Sequence, residues 1–371
     1  MTQTPRRVIH TGQAMVDLVL EVGSLPARGG NVMADRATRY AGGAVTIVVA
    51  AARSGAPAVL AGAVGTGPNG DLVREVLAGE EVEVSAPPVE DLDTGVCVVL
   101  VEPSAERTFV TTRAAERRIT TDSLATSAAV TGDLVCLSGY TLFEPTRHPL
   151  LAWLEGIPEG VDVVLDPGEP FATFDADLVE RVLARTTVWT SNAAEARALL
   201  DAPSRSNSTT GFAAMANKSE VENGQQGTNS TIGFAAMANK SEVENGEEGT
   251  GDTGVTGGAG VTGGVGLAGL CEAVAGRLPE GAVVVVRDGP EGCVVRADGV
   301  TTRVPGFPQT PVDTNGAGDT HTGVLCAGVA QGRDWVEAAR RANAAAAIKV
   351  TRRGPATAPT AEEVDDFLAS R

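Results

Sequence analysis

Short apolar runs alternate with stretches of helical periodicity through much of the chain. The runs DLVCLSG, VDVVLDP and TVWTSN, between residues 133 and 192, are almost continuously apolar, and helix-like stretches separate them. Strands that are apolar on both faces and alternate with helices are typical of a parallel sheet covered on both sides. The pattern therefore predicts an α/β fold built around such a sheet.

Two regions depart from this alternation. Thr94 to Glu102 and Glu106 to Thr112 are β-rich runs joined by the tripeptide PSA, which predicts a β-hairpin. Ala14 to Val22 is an apolar segment with an interior acid, Asp17. Because a bare buried carboxylate is costly, Asp17 is expected either to face solvent on an alternating strand or to bind a partner.

A duplicated block interrupts the pattern in the second half of the chain. Asn207 to Thr228 is repeated as Asn229 to Thr250, with 19 of 22 positions identical, and a tract rich in glycine, threonine and valine follows to Gly266. This composition cannot bury enough apolar surface to offset the entropy of ordering, and two copies are too few for a solenoid. The sequence predicts a flexible surface insertion over about 203–266.

Charge and length limit the classes of function. The chain has 371 residues, 43% of them hydrophobic, a net charge of −18 and a pI near 4.6. It is long enough to bury a large core. It offers little basic surface with which to neutralise phosphates, so nucleic acid is not expected as a partner.

Cysteine usage and the N-terminus bear on the compartment. The five cysteines are widely spaced, lack a metal-binding spacing and mostly lie in apolar runs, which predicts buried reduced thiols. The start MTQTPRRVIHTG has no apolar signal core, and no apolar run approaches membrane-spanning length. We expect a cytoplasmic protein without membrane partners.

The stretch DTNGAGDTHTG, from Asp313 to Gly323, carries the strongest chemical signal. It lies before a run predicted to be helical, Val324 to Gln331. Backbone N–H groups of a glycine-rich turn at a helix start suit phosphate oxygens, whereas a carboxylate at Asp319 would repel phosphate and is suited to accept a proton from an attacking hydroxyl. Alternatively, the segment is an ordinary helix start with an acid in its first turn.

This stretch resembles the DTxGAGD signature of the ribokinase-like (PfkB) carbohydrate kinase family, and weaker family motifs occur in the same order along the chain. The resemblance implies a three-layer α/β/α sandwich with a mainly parallel central sheet and a small β-sheet lid. It implies one kinase domain spanning 1–371, with lid segments at about 14–40 and 94–113. The implied activity is transfer of the ATP γ-phosphate to a hydroxyl of a small sugar.

The same resemblance assigns site residues. Asp319 would be the catalytic base, and the N–H groups of Gly316, Ala317 and Gly318 would form the anion hole. The residues implied to bind the sugar are Asp17, Gly42, Gly43 and Tyr140. The family commonly has an asparagine where this chain has Ile47, which leaves the identity of the sugar open.

The resemblance also implies ATP, Mg²⁺ and a monovalent cation such as K⁺. Glu195 of the NAAE segment would hold Mg²⁺ through water, although Asn192 and Glu195 also read as an ordinary helix cap. The monovalent cation would lie beside Asp313 and the loop at Gly354. The residues implied to contact the nucleotide are Asn192, Arg287, Gly289, Gly292 and Asn343.

Two other functions stay open on the sequence alone. One is a nucleoside kinase of the same family, against which the aromatic content of 4% counts because bases usually stack on aromatic rings. The other is a catalytically silent sugar- or nucleotide-binding protein, against which the retention of Asp319 and Glu195 counts.

His321 is expected to pack or hydrogen-bond rather than react. The oligomeric state, a homodimer included, stays open.

Overall fold

A computed structural model of the chain describes residues 5–104, 106–202 and 266–371, which belong to one compact unit. The strands in these ranges are β1 (Val8–His10), β2 (Ala14–Val22), β3 (Ala34–Gly43), β4 (Ala58–Leu60), β5 (Glu83–Val84), β6 (Val96–Val101), β7 (Arg107–Thr111), β8 (Leu134–Ser138), β9 (Asp162–Asp166), β10 (Val188–Asn192), β11 (Val283–Arg287), β12 (Gly292–Ala297) and β13 (Val300–Pro305). The helices are α1 (Ala44–Arg53), α2 (Pro68–Gly79), α3 (Thr121–Ala125), α4 (Arg147–Gly156), α5 (Ala176–Leu183), α6 (Ala193–Asp201), α7 (Leu267–Ala275), α8 (Ala317–Ala330), α9 (Trp335–Lys349) and α10 (Ala361–Ala369).

The described strands form two sheets. The large sheet has nine strands in the order β13-β12-β11-β10-β9-β8-β1-β4-β5. The strands from β11 to β5 are parallel, and β12 and β13 add antiparallel pairings at one edge. The prediction of a mainly parallel central sheet is confirmed.

Helices cover both faces of the large sheet. Along β11, Val283 and Val285 pack into one core cluster together with side chains of α1, α8 and α9, whereas Val284 and Val286 pack into a second cluster with side chains of α4, α5, α6 and α7. Successive side chains of a strand point to opposite faces, so a continuous run of valines serves two cores. The result is the predicted three-layer α/β/α arrangement.

The smaller sheet has the strand order β3-β2-β6-β7. β6 and β7 pair antiparallel, which confirms the predicted hairpin, and β2 pairs with β3 antiparallel and with β6 parallel. The face of β2 that carries Asp17 and Val19 also presents Tyr40 of β3 and Val99 of β6, because these residues are register partners. One face of this sheet therefore combines polar and apolar side chains.

Helix α8 begins earlier than the sequence indicates. The predicted run was Val324 to Gln331, but the helix spans Ala317–Ala330. Gly316 precedes it with φ of 74°, a left-handed conformation that glycine adopts without strain. Within the helix, a Cβ on Gly323 would stand 2.3 Å from the carbonyl oxygen of Ile47 in α1. Close packing against α1 thus keeps a glycine-rich segment helical despite its low propensity.

Three further expectations concern the chain as a whole. All five cysteines are buried and free, as predicted. Among the described residues, no helix combines the length and apolar character needed to cross a bilayer. The predicted insertion at about 203–266 lies outside the described residues, except for Gly266 at the start of α7.

Candidate active site

Polar side chains gather where neighbouring parallel strands end. Asp166 ends β9, Asn192 ends β10 and Arg287 ends β11, and these three strands are adjacent. The carboxyl ends of parallel strands meet at one edge of a sheet, where ligands of open α/β sheets commonly bind. The first turn of α8, with Asp319, faces the same edge.

Arg287 joins this edge to α8. Its guanidinium donates to the carbonyl oxygen of Gly318 at 3.0 Å and to Oγ1 of Thr322 at 2.9 Å, and it lies 3.3 Å from the Asp166 carboxylate. A forked cation with three partners fixes the first turn of α8 against the strand ends. The sequence predicted that Arg287 contacts a nucleotide, and Arg287 does line a cavity described below. Its side chain, however, mainly holds the glycine-rich turn.

The start of α8 leaves backbone donors available. No side chain caps this helix. The Ala317 N–H, one of the three implied anion-hole donors, already donates to the carbonyl oxygen of Thr314 at 3.2 Å. Gly318 therefore offers the better-placed N–H, at the positive end of the helix.

Asp319 lies in a mostly enclosed setting among other charges. Burial is the main reason that its pKa rises from 3.8 to about 7, and the nearby Asp166 carboxylate raises it further. Arg287 opposes this rise and Asp17 adds to it. A carboxylate whose pKa lies near neutrality is suited to proton transfer.

Asp17 reaches the same place from the small sheet. Its carboxylate accepts a hydrogen bond from Nδ2 of Asn315 at 3.5 Å, and burial raises its pKa to about 6. A Cβ on Gly42 would stand 2.5 Å from Asp17 Oδ2, so the glycine makes room for the carboxylate. Gly43, with φ of 62°, lets β3 turn into α1. Gly42 thus shapes the surroundings of Asp17, whereas a Cβ on Gly43 would stand 2.3 Å from the carbonyl oxygen of Gln13.

A cavity of about 340 Å³ opens on the Asp17 face of the small sheet, which we call the lid cavity. Arg107 of β7 crosses it to contact Thr314 Oγ1 and lies 3.9 Å from Asp313. Its lining combines charged, polar and aliphatic residues: Val19, Glu21, Val22, Asp35, Thr38, Tyr40, Val99, Val101, Glu102, Pro103, Arg107, Pro311, Val312, Asp313, Thr314, Asn315 and Arg353.

A second cavity, of about 440 Å³, lies on the other side of Thr314, and we call it the strand-edge cavity. Its walls are more apolar than those of the lid cavity and include the first turn of α8. The lining residues are Asn192, Arg287, Gly289, Pro290, Gly292, Gly306, Phe307, Gln309, Pro311, Thr314, Ala317, Gly318, His321, Asn343, Ala346, Ala347 and Val350. All five residues predicted to contact a nucleotide therefore line one cavity.

Asn343 and His321 form one wall of the strand-edge cavity. The Asn343 amide donates to the carbonyl oxygens of Val304 and Pro305, both at 3.1 Å, so its Oδ1 must accept from His321 Nε2 at 3.1 Å. Burial lowers the His321 pKa to about 3, which keeps the ring neutral. His321 thus packs and hydrogen-bonds, and Asn343 turns most of its polar atoms away from the cavity.

Glu195 and Asn192 form a reciprocal helix cap. Glu195 Oε2 accepts from the Asn192 N–H at 2.9 Å, and Asn192 Oδ1 accepts from the Glu195 N–H at 2.8 Å. Burial and the neighbouring Asp166 carboxylate raise the pKa of Glu195. A carboxylate beside a second one suits a hydrated Mg²⁺, which needs few protein oxygens.

Two residues singled out from the sequence lie elsewhere. Tyr140 follows β8 and is 46% exposed. It lines neither cavity. Ile47 is buried in the core cluster beside α8, so its side chain does not make the lid cavity apolar.

Asp313 and Gly354 are brought together, but by a direct bond. The Asp313 carboxylate accepts the N–H of Asn315 at 2.8 Å and the N–H of Gly354 at 2.9 Å. Its oxygens therefore tie the turn before α8 to the loop after α9. Lys349, which sequence reasoning did not single out, donates from Nζ to the carbonyl oxygen of Asp313 at 2.9 Å.

Other residues of the site were missed because their signal is tertiary. Arg107 lies in an ordinary β-rich run and Thr322 in a helix, and nothing local marks either one. Asn315 belongs to the glycine-rich motif, yet only the fold brings its amide to Asp17. A position-by-position search of the sequence would have found Lys349, since the chain has few lysines.

Comparisons with known proteins agree with this architecture. The chain is 27% identical over 362 residues to the uncharacterized sugar kinase YegV of Escherichia coli K12, covering 97% of this chain and 94% of that protein. The ribokinase of Arabidopsis thaliana, solved with ribose and ATP, shares the fold with a TM-score of 0.68 and 19% identity over 99% of each chain. A nucleoside kinase of Burkholderia thailandensis, solved with inosine, gives a TM-score of 0.66 and 18% identity over 98% of this chain and 96% of that one.

The family model of the pfkB family carbohydrate kinases matches residues 6–227 and 264–362. The match thus includes β1, both sheets, the glycine-rich turn and α9, and it ends at the start of α10. It covers well over half of the sequence. This chain is a member of the pfkB family of carbohydrate kinases.

Proposed function

We propose that this protein is an ATP-dependent sugar kinase that transfers the γ-phosphoryl group of ATP to a hydroxyl of a small carbohydrate. One observation carries the proposal: the lid cavity and the strand-edge cavity share Pro311 and Thr314, and α8 begins at that junction. A nucleotide in one cavity and a sugar in the other would meet beside Asp319.

Asp319 is the proposed base. With a pKa of about 7 it is largely ionised at slightly alkaline pH and accepts the proton of the attacking hydroxyl. The new oxygen–phosphorus bond forms as the bond from the γ-phosphorus to the bridging oxygen breaks, and ADP leaves. Asp17, whose pKa is about 6, is ionised under the same conditions and accepts hydrogen bonds from sugar hydroxyls.

The first turn of α8 is the proposed anion site. The Gly318 N–H and the positive end of the helix face developing negative charge on the transferred group, with Gly316 and Ala317 shaping the turn. Arg287 holds this turn through the Gly318 carbonyl oxygen, so the donors are in place before the substrate binds. Preorganisation of this kind supplies much of the rate enhancement in phosphoryl transfer.

The strand-edge cavity suits Mg-ATP. Glu195 and Asp166 would hold Mg²⁺ through its water shell, and the ion would neutralise charge on the triphosphate. Phe307, Pro290 and Ala346 offer apolar surface for a base, and the glycines at 289 and 292 let a ligand approach the backbone.

The lid cavity supports a hydroxyl-rich acceptor. Asp35, Thr38 and Asn315 offer hydrogen-bond donors and acceptors, and Arg107 with Arg353 adds positive charge. A nucleoside is the second candidate, because Val19, Val99 and Tyr40 provide an apolar wall on the same face.

An acceptor screen tests the proposal. ADP release is measured with Mg-ATP against pentoses, hexoses, sugar acids and nucleosides, and each product is identified by mass. We expect turnover with at least one sugar and none in Asp319→Asn. Turnover with nucleosides alone would favour the second candidate, and ATP binding without turnover on any acceptor would favour a binding protein.

A further inference from the structure

Family resemblance implies a free monovalent cation beside Asp313 and Gly354, and the donor groups of this chain do not fit one. Both carboxylate oxygens of Asp313 accept backbone N–H groups. The carbonyl oxygen of Val350 accepts the N–H groups of Val312 and Asp313, at 2.7 and 3.1 Å. The carbonyl oxygen of Asp313 accepts the ammonium of Lys349.

Lys349 is an unusual residue to find at this depth. It lies in the last turn of α9, and its side chain has no exposed surface. Burying an unpaired ammonium costs several kcal/mol, so such a group persists only where negative partners surround it. Here the partners are the Asp313 carbonyl oxygen and the carboxylates of Asp313 and Asp319, whereas Arg107 opposes the charge.

The groups around Lys349 favour its charged form. The carboxylates of Asp313 and Asp319 attract the ammonium, which donates to the Asp313 carbonyl oxygen at 2.9 Å. A monovalent positive charge is therefore fixed directly behind the turn that leads into α8. A second monovalent cation at the same carbonyl oxygen would meet an ammonium at hydrogen-bond distance, and like charges so close repel strongly.

The presence of a lysine at position 349, rather than an arginine, also supports this interpretation. Lys349 is the only lysine outside the duplicated block, where Lys218 and Lys240 occupy equivalent positions of the two copies. The other basic residues are arginines. An ammonium is a compact point charge, comparable to a dehydrated alkali ion, whereas a planar guanidinium would not fit against a single carbonyl oxygen in the core.

We propose that the Lys349 ammonium is a built-in monovalent cation that takes the place of K⁺. It holds the carbonyl of Asp313, and through it the turn from Asp313 to Gly318, and it contributes positive charge behind the transferred phosphoryl group. Turnover then needs no K⁺. The expected effect of Lys349 on turnover rests on the proposed kinase activity. Its expected effect on nucleotide binding does not.

The test compares cation dependence in three proteins. Wild type, Lys349→Met and the control Arg340→Met, which removes an exposed cation from the same helix, are assayed with K⁺, NH₄⁺ or tetramethylammonium as the only monovalent cation at constant ionic strength. We expect wild type and Arg340→Met to change by less than about twofold among the salts. Lys349→Met should lose about 10-fold to 100-fold in kcat, with partial recovery in K⁺ or NH₄⁺ but not in tetramethylammonium.

A second readout separates this inference from the proposed function. Binding of a fluorescent ADP analogue and the thermal midpoint are measured in the same salts. If no acceptor supports turnover, K⁺-independent ADP binding in wild type and K⁺-dependent binding in Lys349→Met still support the built-in cation.

Activation of wild-type turnover or ADP binding by K⁺ would overturn the inference while leaving the kinase proposal intact. So would a Lys349→Met protein that keeps wild-type kcat in tetramethylammonium. If Lys349→Met does not fold, the K⁺ titration of wild type decides alone.

Discussion

At the scale of single residues, the site depends on carboxylates that folding holds close together. The charges of Asp166 and Asp17 raise the pKa of Asp319, and Arg287 offsets part of that rise. Because the folded state raises the pKa of Asp319 from 3.8 to about 7, folding favours its protonated form between these values. Stability from this group is present at low pH and is lost as pH rises through 7.

The first prediction concerns Asp319→Asn. Since the amide carries no charge, we expect its thermal midpoint to exceed that of wild type at about pH 8 and the difference to shrink as pH falls toward about 4. kcat should fall by about 100-fold or more while ATP binding persists, because a base acts in the transition state. Calorimetry and steady-state kinetics measure both effects.

Asp366→Asn is the matched control, because Asp366 is exposed on α10. It should leave the midpoint and kcat unchanged. Wild-type turnover in Asp319→Asn would show that another group takes the proton.

The second prediction concerns Glu195→Gln. Glutamine can keep the reciprocal cap with Asn192, because its amide oxygen can accept the same N–H, but it removes the negative charge. We expect the Mg²⁺ concentration for half-maximal activity to rise while the KM for the sugar stays constant. Unchanged Mg²⁺ dependence with a raised sugar KM would show instead that Glu195 acts in the acceptor site.

At the scale of elements, side chains of the small sheet contact the turn that leads into α8. Asn315 contacts Asp17 of β2, and Arg107 of β7 contacts Thr314. The glycine-rich turn is thus held from one side by Arg287 and from the other by the small sheet. Closure of this sheet over a sugar would exclude water from the transferred group.

The third prediction follows from Arg107. Arg107→Ala should raise the KM for the acceptor by about 10-fold, a loss typical of one charge-assisted contact, and leave the KM for ATP unchanged. The control Val110→Ala removes an exposed side chain from the opposite face of β7. Equal effects of the two changes, or a rise in the KM for ATP alone, would contradict a role of Arg107 in the lid cavity.

At the scale of the molecule, the large sheet has a core on each face and brings the ends of β9, β10 and β11 to the site. The described chain leaves α6 at Asp201 and resumes at α7 from Leu267, and the family match omits 228–263. The omitted stretch contains the whole second copy, Asn229 to Thr250, whereas the match includes all but the last residue of the first copy.

The fourth prediction is that deletion of Asn207 to Thr250 leaves kcat/KM unchanged and shifts Tm by less than about 3 °C. A longer connection costs only about 0.6 kcal/mol per doubling of its length, so a shorter one should be neutral or slightly stabilising. Deletion of one copy, Asn229 to Thr250, gives an intermediate control. A large loss of Tm or of acceptor affinity would show that the block contacts the kinase domain or a partner.

The sequence by itself determined the class of fold and the main chemical motif. Continuous valine runs such as 283–286 are typical of strands buried on both faces, and the glycines before Asp319 match a family signature, so local sequence suffices for these two expectations. The extent of α8, by contrast, depends on its packing against Ile47, which propensity does not report.

Only the tertiary structure determines which charged side chains contact which partners. Lys349 lies 36 positions from Asp313, and Arg107 lies 207 positions from Thr314, so neither contact leaves a local pattern. A charge acquires its role from the distance and burial of its partners, and these are set only when the chain has folded. At the surface, Lys349 would be an ordinary solvated cation. Buried beneath the glycine-rich turn, it lies beside Asp313, where a monovalent cation was expected.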